Sequence, residues 1–307
     1  MYDHVCAYGR RKKDFVRELT RKCFVNGIRI KNVQHLSKKN GRNAIVFQAR
    51  TVGRSCVAAK KVVPVLTEVL RSGYYPDDSN RRIINEEYHQ YIFIQEDRFK
   101  LLSGVARMNK GKSHFNGDNF LISRLECGKA IAAIADGMGS GKRAYIESRM
   151  VIELMENCID AGFDEKASID LINSAYIAGG GTGNPVTMDM SVIDCQSGYM
   201  HCMKLGAVST FIRRDKWVEI IQSTTLPMGV LEQVDYDCTT KKLYDGDYIV
   251  MVSDGVLDNI PCVNKEERMA QMIHALTIRE PSAMAEKLLE QSLAYNDMKA
   301  SDDCTVL

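Results

Sequence analysis

The stretch from Ala130 to Gly141, AIAAIADGMGSG, constrains this chain more than any other. Ile131 to Ala135 form an unbroken run of small and β-branched apolar residues, which predicts a strand buried on both faces. The run stops against Asp136, and Gly137, Gly139 and Gly141 follow closely. A carboxylate at the end of a buried strand, beside backbone freed by glycine, suits a hard cation. The plain alternative is an Asp-Gly hairpin turn, which needs a second strand directly after it. Instead Ala144, Met150, Val151, Leu154, Met155, Cys158 and Ile159 fall at helical spacing, and Gly162 sits where a helix C-cap belongs. The unit therefore reads as strand, Asp-Gly loop, helix. A phosphate-binding loop fails on spacing. A Walker A loop needs glycine in place of Asp136 and a hydroxyl residue in place of Arg143. A dinucleotide fingerprint needs its glycine at Lys142 rather than at Gly141.

The rest of the composition narrows the class. At 307 residues, 45% hydrophobic and 26% charged, the chain reads as a soluble globular protein of one large or two medium domains. No apolar run approaches the ~20 residues that span a bilayer. The net charge of +2 hides an asymmetry: residues 1–61 carry sixteen Lys/Arg and three Asp/Glu. That bias reads as a solvated or juxtamembrane face. No aromatic-interleaved basic groove points to nucleic acid. The ten cysteines are scattered with no CxxC pair, as expected of free thiols in a reducing compartment. The six histidines form no HxH or HxxxH pattern.

Taken in order, residues 9–24 predict a basic amphipathic helix, with Phe15, Val16, Leu19, Cys23 and Phe24 as its apolar stripe. Strands are expected at 28–35 and 44–49 around the turn KKNGRN, and a second helix at 56–72. From Gln90 the texture turns to strands: YIFIQE, FKLLSGVARM and NFLISRL. Helices at about 142–160 and 165–177 precede a flexible loop, AGGGTGNP. A block of strands follows: VTMDMSVID, YMHCMKLG, STFIRR, WVEIIQ, CTTKKL and YIVMVSDG. Helices at about 264–275 and 282–295 come before the closing SDDCTVL. Dense strands broken by two helix pairs predict two packed sheets flanked by helices.

Three features share one grammar. AIAAIADG ends a buried strand in Asp136-Gly137, YIVMVSDG ends another in Asp254-Gly255, and SDDCTVL sets Asp302 and Asp303 before a third apolar segment. Asp118, in NGDNF, adds a carboxylate at a strand start. If these strand ends converge, the like charges repel unless divalent cations stand between them. All-oxygen ligation favours Mg²⁺ or Mn²⁺ over zinc. Two such ions roughly 4 Å apart can activate a water toward phosphorus.

Residues 92–307 resemble the metal-dependent protein phosphatases of the 2C type, and within them the stage II sporulation protein E family. The pieces that carry the resemblance are GVAR (104–107), GDNF (117–120), ADGMGSGKRAYIES (135–148), ELMENCIDAGFDEKASIDLINS (153–174), TMDMSVID (187–194), KLGAVSTFIRR (204–214), TTLPMGV (224–230), LYDGDYIVMVSDGVLD (243–258) and SDDCT (301–305). Residues 1–91 look like the segment that precedes the phosphatase region in that family. The resemblance implies an α+β fold, a four-layer α-β-β-α sandwich over 92–307, after a small basic regulatory or linker segment over 1–91. It implies two Mn²⁺ (or Mg²⁺) ions held by Asp118, Asp136, the Gly137 carbonyl, Asp254 and Asp302. Asp118, Asp136 and Asp254 would be the catalytic residues. The motif leaves Asp302 and Asp303 both open as the ligand, with the first of the pair preferred.

The implied activity is a protein-serine phosphatase. It would hydrolyse a serine phosphate on an anti-anti-sigma factor, leaving the serine hydroxyl and free phosphate, and so activate a sporulation sigma factor. A homodimer is a further option, and no nucleic acid is expected. The rival reading is a catalytically inert phosphatase fold that acts as an interaction module. Two departures stand out. The wider family carries a phosphate-binding arginine just before its first acidic motif, whereas KSHFNGD has none and Arg107 lies far upstream. The family's sporulation member also begins with membrane spans. The expectation is therefore a piece of a longer cytoplasmic-face protein, its basic start just inside the membrane.

Overall fold

The computed structural model describes residues 9–36, 42–53, 55–111, 113–125, 127–139, 141–178, 184–215 and 217–307. Most of the expected KKNGRN turn and of the glycine-rich AGGGTGNP loop, along with Cys6, lies outside these residues. The chain divides into two compact units, Met1–Arg98 with Glu126–Gly128, and Phe99–Leu125 with Lys129–Leu307.

The first unit is a sheet covered by helices. Its elements are α1 (Gly9–Val25), β1 (Ile28–Leu36), β2 (Ala44–Thr51), β3 (Val57–Ala58), α2 (Val63–Leu70), β4 (Tyr74–Pro76), β5 (Ile83–Ile84) and β6 (His89–Gln95). The main sheet has the order β1-β2-β6-β4. Leu19 and Cys23 of α1 and Leu66 of α2 share one core with Ile28, Ile45, Phe47 and Phe93 of the strands. Phe47 and Phe93 stack at 5.4 Å between ring centroids. The helix expected over 56–72 is shorter. Val57 and Ala58 pair with β5, a 3₁₀ turn follows, and Pro64 sits in the first turn of α2, where its missing N–H costs nothing. The expected division at residue 91 cuts through β6, whose pairing with β2 and β4 runs on to Gln95.

The second unit holds two antiparallel sheets. It comprises β7 (Ala106–Met108), β8 (Asp118–Arg124), β9 (Lys129–Gly137), α3 (Lys142–Asp160), α4 (Glu165–Ala178), β10 (Val186–Asp194), β11 (Tyr199–Leu205), β12 (Thr210–Arg213), β13 (Val218–Ile221), β14 (Asp237–Lys242), β15 (Tyr248–Met251), α5 (Asp254–Asp258), α6 (Lys265–Ala275), α7 (Pro281–Leu293) and β16 (Cys304–Val306). One sheet runs β14-β11-β10-β9-β8. The other is assembled from β13-β12-β15 and β16-β7. A bridge between Val252 and Val306, and the paired Met251 and Leu307 backbones at 3.0 and 2.9 Å, join these two pieces.

Side chains from both sheets, among them Ile193, Met200, Cys202, Ile212 and Ile221, make one inner cluster. α3 packs on β8 and β9 and against α4, while α5, α6 and α7 cover the other sheet. This is the four-layer order α-β-β-α. β9 is buried on both faces, as its unbroken Ala/Ile run requires.

Two sequence expectations change here. The strand over FKLLSGVARM shrinks to Ala106–Met108, because Leu101 and Leu102 are exposed and pair with no neighbour. Asp136 and Gly137 are the last two residues of β9, as expected, and keep its pairing. Asp254, by contrast, does not end a strand. β15 stops at Met251, Ser253 takes the N-cap position, and Asp254 opens the short helix α5, whose Val256 and Leu257 are buried.

Candidate active site

Asp118 opens β8 and lies directly opposite Asp136 of β9. Opposed residues on neighbouring strands share a face, so the fold sets two carboxylates side by side, where like charges repel. Asp118 is 1% exposed, and neither of its carboxylate oxygens has a hydrogen-bond partner. Its main chain is firmly held. Its N–H donates to Asn116 Oδ1 at 3.0 Å, and its carbonyl accepts from the Arg107 guanidinium. Burial pushes the Asp118 carboxyl up to about 7, and the charges of Asp254 and Asp303 add to this. The Thr305 and Ser253 hydroxyls pull the other way without forming a hydrogen bond of good geometry.

Asp136 is pushed further. Burial, and then the charges of Asp118, Asp254, Asp302 and Asp303, raise it to about 9. Asp254 has an open outer side; burial of its inner side, with Asp258 and Asp302, raises it too, against the pull of the Gly255 amide. The five carboxylates are thus within electrostatic reach of one another, although they come from four separate segments of chain. Among the described residues no group of three His, Cys, Asp or Glu side chains forms a ready-made ion cage. The donor set nevertheless fits a divalent cation. It is all oxygen, it carries more negative charge than its surroundings offset, and its most buried member has two orphaned oxygens.

Two glycines let the segments close in. A Cβ on Gly137 would lie 2.4 Å from the Ala144 carbonyl, so the start of α3 rests against the end of β9 only because no side chain is there. A Cβ on Gly255 would lie 2.1 Å from the Asp303 carbonyl, so β16 can cross α5 closely enough to bring Asp302 toward Asp254. The Asp-Gly pairs are therefore packing requirements as well as turn signals.

The Asp302-Asp303 pair is divided between two surroundings. Asp302 is half-buried; its Oδ1 accepts from its neighbour's N–H at 2.9 Å and lies 3.4 Å from Lys110 Nζ. Asp303 is 4% exposed, and both its oxygens accept backbone N–H groups, from Lys110 and from Gly117, each at 2.7 Å.

Arg107 needs a correction. It precedes Asp118 by 11 residues, yet β7 pairs with β16 and sets Arg107 opposite Thr305, with its guanidinium on the Asp118 carbonyl. Distance along the chain was a poor guide to distance in space. Ser148 is a further residue of the site that the sequence motifs do not single out. Its hydroxyl donates to the Gly117 carbonyl at 2.6 Å and accepts from Asn119 Nδ2 at 2.8 Å. A serine at a buried position of α3, on the stripe of Ala144, Val151 and Met155, is the signal that would have found it.

Comparisons with known proteins give the family and the fold. The family model for stage II sporulation protein E (SpoIIE) matches residues 127–307. Stage II sporulation protein E of Bacillus subtilis (strain 168) is 29% identical over 282 residues, covering 92% of this chain and 34% of its own length. The Priestia megaterium protein of that name is 30% identical over 249 residues, covering 81% of this chain and 43% of its own. This chain therefore spans less than half the length of these relatives. A solved structure of the PP2C phosphatase domain and a fragment of the regulatory domain of B. subtilis SpoIIE superposes with a TM-score of 0.73 at 27% identity. It covers 96% of this chain and 91% of that one. The fold of the second unit is that of PP2C phosphatase domains.

Proposed function

Since the chain belongs to the stage II sporulation protein E family, we propose that it is a divalent-metal-dependent protein-serine phosphatase with its active centre at Asp118, Asp136, Gly137, Asp254 and Asp302. The observation that carries this reading is the buried, partnerless Asp118 carboxylate set opposite Asp136. A cluster of that kind is costly in a domain that does not use it. When bound, divalent cations supply the charge that lets the carboxylates ionise together and the Lewis acidity that hydrolysis of a phosphate monoester requires.

The protein's own groups set the frame. Burial and mutual repulsion hold the Asp136 and Asp118 carboxyls well above the usual carboxylate range, so protons leave the site as a cation enters. Asp302 is the preferred ligand of its pair, a choice supported by the backbone amides that already engage both Asp303 oxygens. Lys110, beside Asp302, and Arg107, beside Asp118, are the cations that would meet a phosphate dianion. The metal is Mn²⁺ or Mg²⁺, with two ions as the preferred count. The substrate is a phosphoserine on an anti-anti-sigma factor, and its dephosphorylation activates a sporulation sigma factor. Residues 1–91 serve as a regulatory or linker segment. These finer assignments rest on the family resemblance.

The test is phosphate release from a phosphoserine protein with Mn²⁺ and with excess chelator. Asp136→Asn and Asp254→Asn should each lower turnover by a factor of a thousand or so, about 4 kcal/mol of barrier, while circular dichroism stays native. Wild-type turnover in either variant, or in chelator, would falsify the assignment. A wild-type chain that binds phosphoprotein but never hydrolyses it would favour the inert interaction module.

A further inference from the structure

We propose that Asp303 is a positioning residue for the metal centre: its carboxylate staples both ends of the segment between Lys110 and Gly117, and through Gly117 it sets where Asp118 stands. The proposal rests on the metal-centre reading above and goes beyond it.

Asp303 Oδ1 accepts the Lys110 N–H and Oδ2 accepts the Gly117 N–H, both at 2.7 Å. These are charge-assisted bonds across 193 and 186 residues of chain. Gly117 is also held from its other side, where its carbonyl accepts the Ser148 hydroxyl at 2.6 Å and the Gly137 N–H at 3.4 Å. A Cβ on Gly117 would lie 3.3 Å from Asp303 Oδ2 and 3.6 Å from Asp136 Oδ1, so this peptide sits between the two carboxylates.

The next residue is Asp118. Its own carboxylate makes no hydrogen bond of good geometry, although the Thr305 and Ser253 hydroxyls act on it. The hydrogen bonds that place Asp118 are those of the main chain, and Asp303 is one of their anchors. The other end of the staple, Lys110, carries its ammonium to 3.4 Å from Asp302. One acidic dipeptide therefore divides two tasks: Asp302 faces the cation site and Asp303 holds the backbone around it.

The chemistry also says why the residue is an aspartate. Two N–H donors need two acceptor oxygens. An asparagine offers one, and its amide nitrogen would meet an N–H head on. Asp303→Asn is therefore the informative variant, since its shape is unchanged.

The experiment uses the full chain, Mn²⁺ as the probe, calorimetry for affinity and stoichiometry, and amide hydrogen exchange resolved at Lys110 and Gly117. In the wild type both amides are expected to be protected even without metal. In Asp303→Asn both should lose protection while the amides of β10 and β11 keep theirs. The Mn²⁺ affinity should drop at least about tenfold at an unchanged number of ions, with the phosphatase defect in kcat rather than KM. Affinity within twofold of wild type overturns the proposal. So does the loss of one bound ion, which would make Asp303 a ligand. If the variant does not fold, rapid exchange of Lys110 and Gly117 in the wild type overturns it by itself. A wild type that binds no Mn²⁺ at all would sink the metal-centre reading instead, while the exchange result still decides the staple.

Discussion

Asp136 shows at the scale of one residue how burial and like charges keep a carboxyl neutral. Its carboxyl is raised to about 9 by burial and by four neighbouring carboxylates. In the metal-free protein it therefore holds a proton across a range in which the unfolded chain has released it. Between about pH 4 and pH 9 the folded state binds more protons than the unfolded state, so metal-free stability falls as pH rises. Thermal unfolding in chelator should give a lower midpoint at pH 8.5 than at pH 5.5. Asp136→Asn should flatten that slope and be the more stable protein at the higher pH. A wild type and variant with parallel pH profiles would remove Asp136 from the account. Mn²⁺ should raise the midpoint most at high pH, where the carboxylates need the least help to ionise.

Elements fix how closely such residues can approach. α3 begins against the end of β9, and Gly137 is the contact that allows it. Gly137→Ala would drive a methyl group into the Ala144 carbonyl and push the helix away from the sheet. We expect about 1–3 kcal/mol of lost stability by urea denaturation. We also expect weaker Mn²⁺ binding, because Ser148 on the same helix would draw the Gly117 carbonyl with it. A change within experimental error in both quantities would mean that the helix adjusts freely.

The same elements show what a sequence discloses locally. The strand-Asp-Gly-helix unit was legible because periodicity changes from an unbroken apolar run to a stripe at helical spacing, which is local information. The boundaries that moved, at α2 and α5, moved where proline or a short helix overrode an apolar run. Asp118 and Asp136 could each be named from the sequence. That they face each other across a strand pair could not, because register depends on which strand becomes the neighbour.

For the second unit as a whole, a buried ion pair within one sheet is joined to the facing sheet by a hydroxyl. Lys204 and Asp189 lie opposite each other on β11 and β10, with side chains 1% and 3% exposed and 2.5 Å between Nζ and Oδ2. Thr210 on β12, in the facing sheet, donates to that same Asp189 oxygen. The pair thus acts across both layers. Lys204→Met should cost about 3–5 kcal/mol in chemical denaturation by leaving Asp189 buried without its cation. The double change with Asp189→Leu should recover most of that loss. A single variant near wild-type stability would show that water reaches the layer.

The sequence alone determined the helices and strands with strong periodicity, the two Asp-Gly corners and the family to which the chain belongs. Each of these is written in residues adjacent along the chain. Only the tertiary structure decided which carboxylates meet, that Arg107 stands by Asp118, and that Asp303 accepts backbone amides while its neighbour Asp302 lies beside the Lys110 ammonium. Those outcomes join segments up to 193 residues apart. A contact of that range depends on how strands pair and layers pack, and neither is encoded in any single stretch.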